Sequence, residues 1–451
     1  GGFGMGLALV WDEIDKDYIT DTHDKTGFEP ENVLAIMSGP LQGTLAPNAG
    51  RTEITGIAPE AYPRPQLTRS NFGGRFSPMM KFAGYDGVVI TGKSDEPVYV
   101  EIQNSNVRFR DATHLIELGA RETQEEIWRE FGVNDNGAWK ELDHTQGSGQ
   151  TTQRPAIVTT GQAGDNELPI GCLMHDSGNA AGQGGFGGVF GSKNLKAISV
   201  IGTNGVEVAH PDKLFETRSW LMQYEYDIQE AEAKHSASFE PGWAPGSAYS
   251  YIQAGYDQER FGRPLGCFAC PIDCRENLTT DLYAGGESQC VELGFYLGDD
   301  ISKHGEPTDA QHIATGLLND YGINAYELST GLPWLKSLHK RGILGEGKEI
   351  HTDLDFDDVG SREFVEDLLG KIINEEGIGK ALAGGLTRAA KEWGVYEHDV
   401  MEGILPQTYW LGETHHGHTI NWAYESVLGV RDINAHDVDA IADMDDYFPK
   451  N

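Results

Sequence analysis

Apolar residues follow two rhythms along this chain, and the change between them falls near residue 205. In the first half the apolar runs are short and strand-like. Residues 33–37 form one, ended by Ser38-Gly39-Pro40, and residues 87–91 form another. Residues 97–102 (PVYVEI) alternate apolar and polar positions, as a half-buried strand does. Residues 155–160 predict a further strand, closed by a Gly-Gln-Ala-Gly turn at 161–164, and residues 197–201 another. An amphipathic helix over 121–132 is the exception, and the opening GGFGMG reads as loop. Beyond 205 the spacing turns helical. A start signal, His210-Pro211-Asp212, precedes a helix to about 232, and helices at 309–319 and 325–341 are separated by Asp320-Tyr321-Gly322. Residues 361–375 place Val365, Leu368, Leu369, Ile372 and Ile373 on one stripe, with Ser361 as N-cap, and 381–393 follow as another helix. No fixed-period repeat interrupts this order. The pattern predicts an α+β protein: a β-rich domain over 1–203, a helical domain over 204–404, and the start of a third, helical domain over 405–451.

Composition sharpens the picture in three ways. With 451 residues, two or three cores are expected, and 58 glycines, well above the usual share of about 7%, imply many tight turns and close backbone contacts. A net charge of −36 argues against nucleic acid and against an anionic membrane surface, since both require Lys and Arg in excess. It describes a solvated acidic surface, with a basic docking partner as the alternative. No apolar run is long enough for a transmembrane helix. The chain lacks an initiator Met, so it is expected to start inside a longer protein. Five cysteines, three of them within eight residues, suit metal ligation in a reducing compartment, and hence a cytoplasmic protein, better than a disulfide framework.

The densest chemistry lies at residues 179–202. Six glycines within ten residues (Gly182, Gly184, Gly185, Gly187, Gly188 and Gly191) are followed by Lys193 and Lys196. Such a loop lets backbone amides surround an anion, and the lysines are expected to add positive charge beside it. A phosphorylated ligand is the natural occupant; a glycine-rich hairpin without ligand is the plain alternative. Gly182, Gly184 and Gly187 spell G-x-G-x-x-G, but the preceding Met174–Gly178 is polar rather than strand-like, and no long helix fits before the next strand. Gly191-Ser192-Lys193 lacks the P-loop order.

Three other groups carry chemistry. Cys267, Cys270 and Cys274 form C-x2-C-x3-C, suited to an iron–sulfur cluster, with zinc as the alternative. Cys172 or Cys290 is available as a fourth ligand, as is a cysteine beyond residue 451. Glu413 and His415-His416-Gly417-His418 can ligate a metal or move protons, or simply face solvent. Glu287 and Glu292 flank Cys290 and are pocket carboxylates or plain surface.

Several separated segments together resemble the tungsten-containing aldehyde:ferredoxin oxidoreductases. They are Ser38-Gly39-Pro40-Leu41-Gln42-Gly43-Thr44, Ala46-Pro47-Asn48-Ala49-Gly50-Arg51, Ser70-Asn71-Phe72-Gly73-Gly74, Met80-Lys81-Phe82-Ala83-Gly84-Tyr85-Asp86-Gly87, the glycine loop through Ile198, and the cysteine cluster. The resemblance implies a tungsten (or molybdenum) bis-pyranopterin, a [4Fe–4S] cluster, and Mg2+ bridging the pterin phosphates. It implies a β-rich base under the cofactor with helical domains over it, in an oligomeric enzyme. Aldehydes would be oxidised to carboxylates, with electrons leaving to ferredoxin or a partner iron–sulfur subunit. Reduction of an aromatic acyl thioester is the alternative within the family. A non-catalytic electron-transfer subunit and a zinc hydrolase built on the histidines are the alternatives outside it.

Carried over by residue, Arg51 matches an arginine between cluster and pterin, and Asn71, Gly73 and Gly74 match a pterin-contacting loop. Asn179, Ala180, Gly182, Gly184, Gly185 and Gly187 match the phosphate cradle, and Cys267, Cys270 and Cys274 match three cluster ligands. Relatives place arginines where this chain has Asn179 and Gln183, which shifts phosphate neutralisation to Lys193, Lys196 or backbone amides. The usual Gly-Pro-Glu-Tyr-Glu segment reads Gly286-Glu287-Ser288-Gln289-Cys290. A second Asp-x-x-Gly-x-Cys pterin segment is missing after residue 400, so the chain is expected to be incomplete at both ends. Glu287 and His418 are the expected proton-handling residues.

Overall fold

The computed structural model describes residues 2–20, 24–47, 49–132, 140–141, 150–176, 178–235, 261–270, 275–279, 284–288 and 290–405. The architecture is α+β with a β-rich N-terminal region, as the change of rhythm predicts. Two sheets dominate this region. One is antiparallel and four-stranded, in the order Gln66–Phe72, Thr52–Ala58, Leu34–Met37, Gly87–Ile90. The other is six-stranded, in the order Asn179–Ala181, Leu173–His175, Ala156–Thr160, Leu195–Ile201, Val98–Gln103, Asn106–Asp111. Its Leu195–Ile201 and Val98–Gln103 strands are parallel; its other pairs are antiparallel.

Side-chain alternation explains how the sheets pack. Val100 and Ile102 point into a core shared by both sheets with Ile36, Ile54, Phe72, Phe76, Val158, Phe186 and Val200. Tyr99, Ile157 and Ala197 face the other way, onto Leu115 and onto Ile127 of the helix Ala120–Glu130.

Two local expectations are corrected, and a third, the lack of room for a long helix before the strand at 195–201, is met. The opening glycines form a helix, Gly2–Glu13, rather than loop. Its Val10 packs with Ile14, Tyr18, Val33, Ala35 and Met37, and a Cβ at Gly6 would stand 2.9 Å from Thr55 Oγ1. Burial against the sheet thus outweighs the poor helix propensity of glycine. Met174 and His175, from a stretch polar in sequence, belong to a hairpin strand in which Met174 faces Ala180 and His175 faces Asn179. Between this hairpin and Leu195–Ile201 stands a seven-residue helix, Phe186–Ser192.

The helical part follows its sequence pattern closely. Asp309–Tyr321 ends at Gly322, which adopts φ +71, and Ala325–Lys340 follows with Asn324 as N-cap. Ser361 Oγ accepts Phe364 N–H at 3.1 Å at the start of Arg362–Ile373. The stripe Val365, Leu368, Leu369, Ile372 and Ile373 is buried in a core with Ala310, Ala314 and Leu318 of Asp309–Tyr321, the helix it packs on. The expected helix over 381–393 is two, Gly379–Ala383 and Leu386–Glu392, divided at Gly384-Gly385. Among the described residues no helix is long and apolar enough to cross a membrane.

One buried ion pair ties the six-stranded sheet to its surroundings. Lys196 Nζ donates to Asp165 Oδ2 at 2.7 Å and to Leu118 O at 3.0 Å. Burial lowers the pKa of Lys196 and raises that of Asp165. Lys196→Met would leave the Asp165 carboxylate buried without its cation, a loss of about 3–5 kcal/mol. The expected outcome is a clearly lower midpoint of thermal unfolding; a melt indistinguishable from wild type would contradict the account.

Candidate functional site

The strand Gln66–Phe72 runs into the turn Asn71-Phe72-Gly73-Gly74-Arg75, which then enters the helix Phe76–Phe82. The cysteine loop sits on this turn. Gly74 N–H donates to Cys267 Sγ at 3.2 Å, and Phe268 N–H donates to Gly74 O at 2.9 Å. Phe268 packs edge-on against Phe82, with ring centroids 5.7 Å apart. Arg218 Nη1 reaches across to Leu45 O at 3.1 Å and Ala269 O at 2.6 Å.

Glycine is required in this turn by contact. A Cβ at Gly73 would stand 2.6 Å from Cys267 Sγ and 2.8 Å from Asn179 Oδ1. At Gly74, where φ is +91, it would stand 2.4 Å from His175 Cδ2. Asn71 Oδ1 accepts Arg51 Nη1–H at 2.7 Å, and Gln42 Nε2 donates to Arg51 O. Arg51, Asn71, Gly73, Gly74, Asn179 and Cys267, far apart in sequence, are therefore brought together. Cys270 follows one turn on, its N–H bonded to Cys267 O at 3.1 Å.

His175 lies beneath this cluster and is fully buried. Its Nδ1 stands 2.6 Å from Ile157 O and its Nε2 accepts Arg75 N–H at 3.1 Å, which places the ring proton on Nδ1. Asn179 is buried as well, and its Nδ2 has no hydrogen-bond partner among the described residues.

The glycine loop is held from its other side by carboxyl groups. Gly184 N–H donates to Glu60 Oε2, and Asn324 Nδ2 donates to Glu60 Oε1 at 2.6 Å. Glu327 Oε2 accepts Leu386 N–H at 2.7 Å. Arg388 donates to the carbonyls of Pro59 at 2.9 Å, Glu60 at 3.1 Å and Ala61 at 2.9 Å. Burial, reinforced by the Glu327 charge, pushes Glu60 up to about 8, and burial pushes Glu327 up to about 7. Cys172 Sγ points to Gly182 O at 3.1 Å under the same loop.

The lysines are placed differently from the expectation. Lys193 Nζ donates to Pro30 O at 3.0 Å and Gly92 O at 2.9 Å, and burial lowers its pKa to about 8. Lys196 is paired with Asp165. Both ammonium groups are thus engaged by protein oxygens rather than presented to the loop. Cys274, His418 and the rest of residues 415–418 lie outside the described residues. Glu287 is placed only by its backbone, in the strand Ala284–Ser288 opposite Asn277. Glu60, Asn324, Glu327, Arg388 and His175 escape sequence reasoning. None stands in a recognisable motif, and the only trace of His175 is a polar residue within a short strand.

The residues suit an anionic, sulfur-bearing group. A cysteine sulfur sits on a backbone N–H, two glycines keep side chains away from it, and a buried amide donor beside them has no acceptor among the described residues. Family comparison agrees. The model for the aldehyde ferredoxin oxidoreductase N-terminal domain matches residues 1–202, and that for domains 2 and 3 of the same enzymes matches residues 191–405. The chain belongs to the aldehyde ferredoxin oxidoreductase family.

The tungsten-containing aldehyde ferredoxin oxidoreductase of Pyrococcus furiosus is 30% identical over 420 residues, covering 87% of this chain and 63% of that protein. Its Pyrococcus horikoshii counterpart is 31% identical over 430 residues, covering 88% and 63%. An aliphatic sulfonate oxidoreductase, WOR-like subunit, of Pyrococcus furiosus is 27% identical over 411 residues, covering 86% and 62%. Among solved structures, the active-site complex BamBC of benzoyl coenzyme A reductase with 1,5-dienoyl-CoA is similar with a TM-score of 0.66 and 25% identity. That match covers 89% of this chain and 60% of the other. The chain thus spans somewhat less than two thirds of these oxidoreductases.

The buried carboxyls make a pH test. Their raised pKa values mean that the folded protein holds protons that the unfolded chain releases above about 4.5. Their contribution to stability is complete below that pH and is lost as pH rises through about 7 and about 8. The denaturant midpoint should therefore fall between pH 6 and pH 9, and fall less in Glu60→Gln. An equally steep decline in the variant would contradict this assignment.

Proposed function

We propose that the chain is the cofactor-bearing part of a tungstopterin and iron–sulfur oxidoreductase that interconverts aldehydes and carboxylic acids. Its electrons pass to ferredoxin or to a partner iron–sulfur subunit. The observation that carries this reading is the seating of Cys267 on the Asn71–Gly74 turn beside Asn179, which joins three separate family segments at one place. Cys267, Cys270 and Cys274 would hold a [4Fe–4S] cluster. Asn71, Gly73 and Gly74 would face a pterin, and Arg51, fixed by Asn71, would stand between pterin and cluster.

Asn179, Ala180, Gly182, Gly184, Gly185 and Gly187 would cradle the pterin phosphates, with Mg2+ completing their neutralisation. Because Lys193 and Lys196 are engaged elsewhere, the cradle relies on backbone amides and on the Asn179 amide. When bound, the tungsten centre supplies a two-electron acceptor and a Lewis acid for a carbonyl oxygen. The Glu287 carboxylate would take up the proton released from the attacking water, with His418 as its partner in moving that proton on.

A second reading, reduction of an aromatic acyl thioester, draws on the similarity to the benzoyl coenzyme A reductase complex. Parallel assays with aldehydes and with aromatic acyl thioesters, using a low-potential dye as electron partner, separate the two.

Elemental analysis of the purified protein tests the cofactor reading. About one tungsten and about four iron atoms per chain are expected. Iron without tungsten would indicate an electron-transfer subunit, and zinc without iron a hydrolase built on the histidines. In a protein so loaded, Glu287→Gln should lower turnover roughly a hundredfold with metal content intact; unchanged turnover would remove Glu287 from the chemistry.

A further inference from the structure

We propose that His175 is a positioning residue for the iron–sulfur cluster: it fixes the backbone amide that donates to the Cys267 sulfur and thereby raises the cluster's reduction potential. The inference rests on the reading of Cys267 as a cluster ligand.

Two peptide groups flank Gly74. Three hydrogen bonds hold them: Gly74 N–H to Cys267 Sγ at 3.2 Å, Phe268 N–H to Gly74 O at 2.9 Å, and Arg75 N–H to His175 Nε2 at 3.1 Å. Gly74 has φ +91 and no side chain, so the residue itself adds little resistance to rotation. Orientation must come from outside, and two of the three bonds involve the cysteine loop itself. Of the three, the His175 bond is the one made to a sheet strand, while the Arg75 guanidinium adds bonds to Arg154 O at 3.0 Å and Pro155 O at 2.8 Å.

His175 is well built for that task. It is fully buried in the strand Leu173–His175, and its Nδ1 is bonded to Ile157 O at 2.6 Å on the neighbouring strand. Its ring packs against both Phe72 and Phe76, with centroids 5.7 Å and 5.9 Å away. Asp176 Oδ2 also lies 3.2 Å from Nε2, and the other Asp176 oxygen stands 3.4 Å from the Arg75 guanidinium. With the ring proton held on Nδ1, Nε2 presents its lone pair to Arg75 N–H.

A backbone donor aimed at a ligating sulfur favours the reduced, more negative cluster, and hydrogen bonds to sulfur are among the main determinants of cluster potential. Loosening the Gly74–Arg75 peptide would misdirect the neighbouring donor and lower the potential. The effect passes through the backbone, by way of the Arg75 N–H that His175 Nε2 accepts.

The test is an EPR-monitored redox titration of the holoprotein, with iron content measured alongside. His175→Phe keeps a ring and removes the acceptor. His175→Asn is too short to reach Arg75 N–H. His175→Gln puts a carbonyl oxygen near the place of Nε2. At the wild-type midpoint, the Phe and Asn variants should show about a tenfold lower ratio of reduced to oxidised cluster, which is about 59 mV for a one-electron couple. The Gln variant should recover most of that shift, and all three should retain wild-type iron. If the Phe variant fails to fold, the comparison of Asn with Gln carries the same test. A wild-type midpoint in Asn or Phe, or equal shifts in Asn and Gln, would overturn the inference. Absence of iron from the wild-type holoprotein would overturn the cluster reading, and this inference with it.

Discussion

The candidate site depends on the lack of side chains at Gly73 and Gly74. A methyl group at either position would meet Cys267, Asn179 or His175 well inside van der Waals distance. Three pieces of chain therefore meet there at backbone range: the end of a strand, the hairpin at 173–181 and the cysteine loop. That close approach lets an N–H reach the Cys267 sulfur. It also aligns Arg51 and Asn71 on the same side. The surrounding sheets act mainly to hold this turn still, since Phe72 and Phe76 on either side of it are buried in their shared core.

Electrostatics around the glycine loop run against a simple picture of phosphate binding. Lys193 and Lys196 are buried and engaged by carbonyls and a carboxylate. The charged groups that do approach the loop are Glu60 and, behind it, Glu327, both driven towards the neutral form by burial. In the neutral form they add hydrogen bonds without adding repulsion. Within the loop Gly184 N–H is held by Glu60 and Gly187 N–H by Gly171 O, and the buried Asn179 Nδ2 is a donor without an acceptor among the described residues. Arg388, donating to three successive carbonyls at 59–61, clamps the same corner to the helical part.

Much of the fold was legible locally. The stripe at 365–373, the Ser361 cap and the break at Gly322 follow from spacing and from single-residue chemistry, and each appears where it was expected. The candidate site was legible in its parts, as a glycine loop and a cluster of three cysteines, because both are dense and unusual in composition. The opening helix and the hairpin at 173–181 were not. Their sequences carry weak or opposing propensities, and only packing on a sheet stabilises them.

The sequence by itself determined the α+β order and the family, and singled out the groups proposed to hold a cofactor, because periodicity and motif spacing are short-range properties of a chain. Tertiary structure alone decided which of those groups face the site. Whether a lysine meets a ligand or a carbonyl depends on neighbours more than a hundred residues away, as Lys193 with Pro30 and Gly92 illustrates. The same holds for His175, whose role comes from the distant Arg75 amide that it happens to meet.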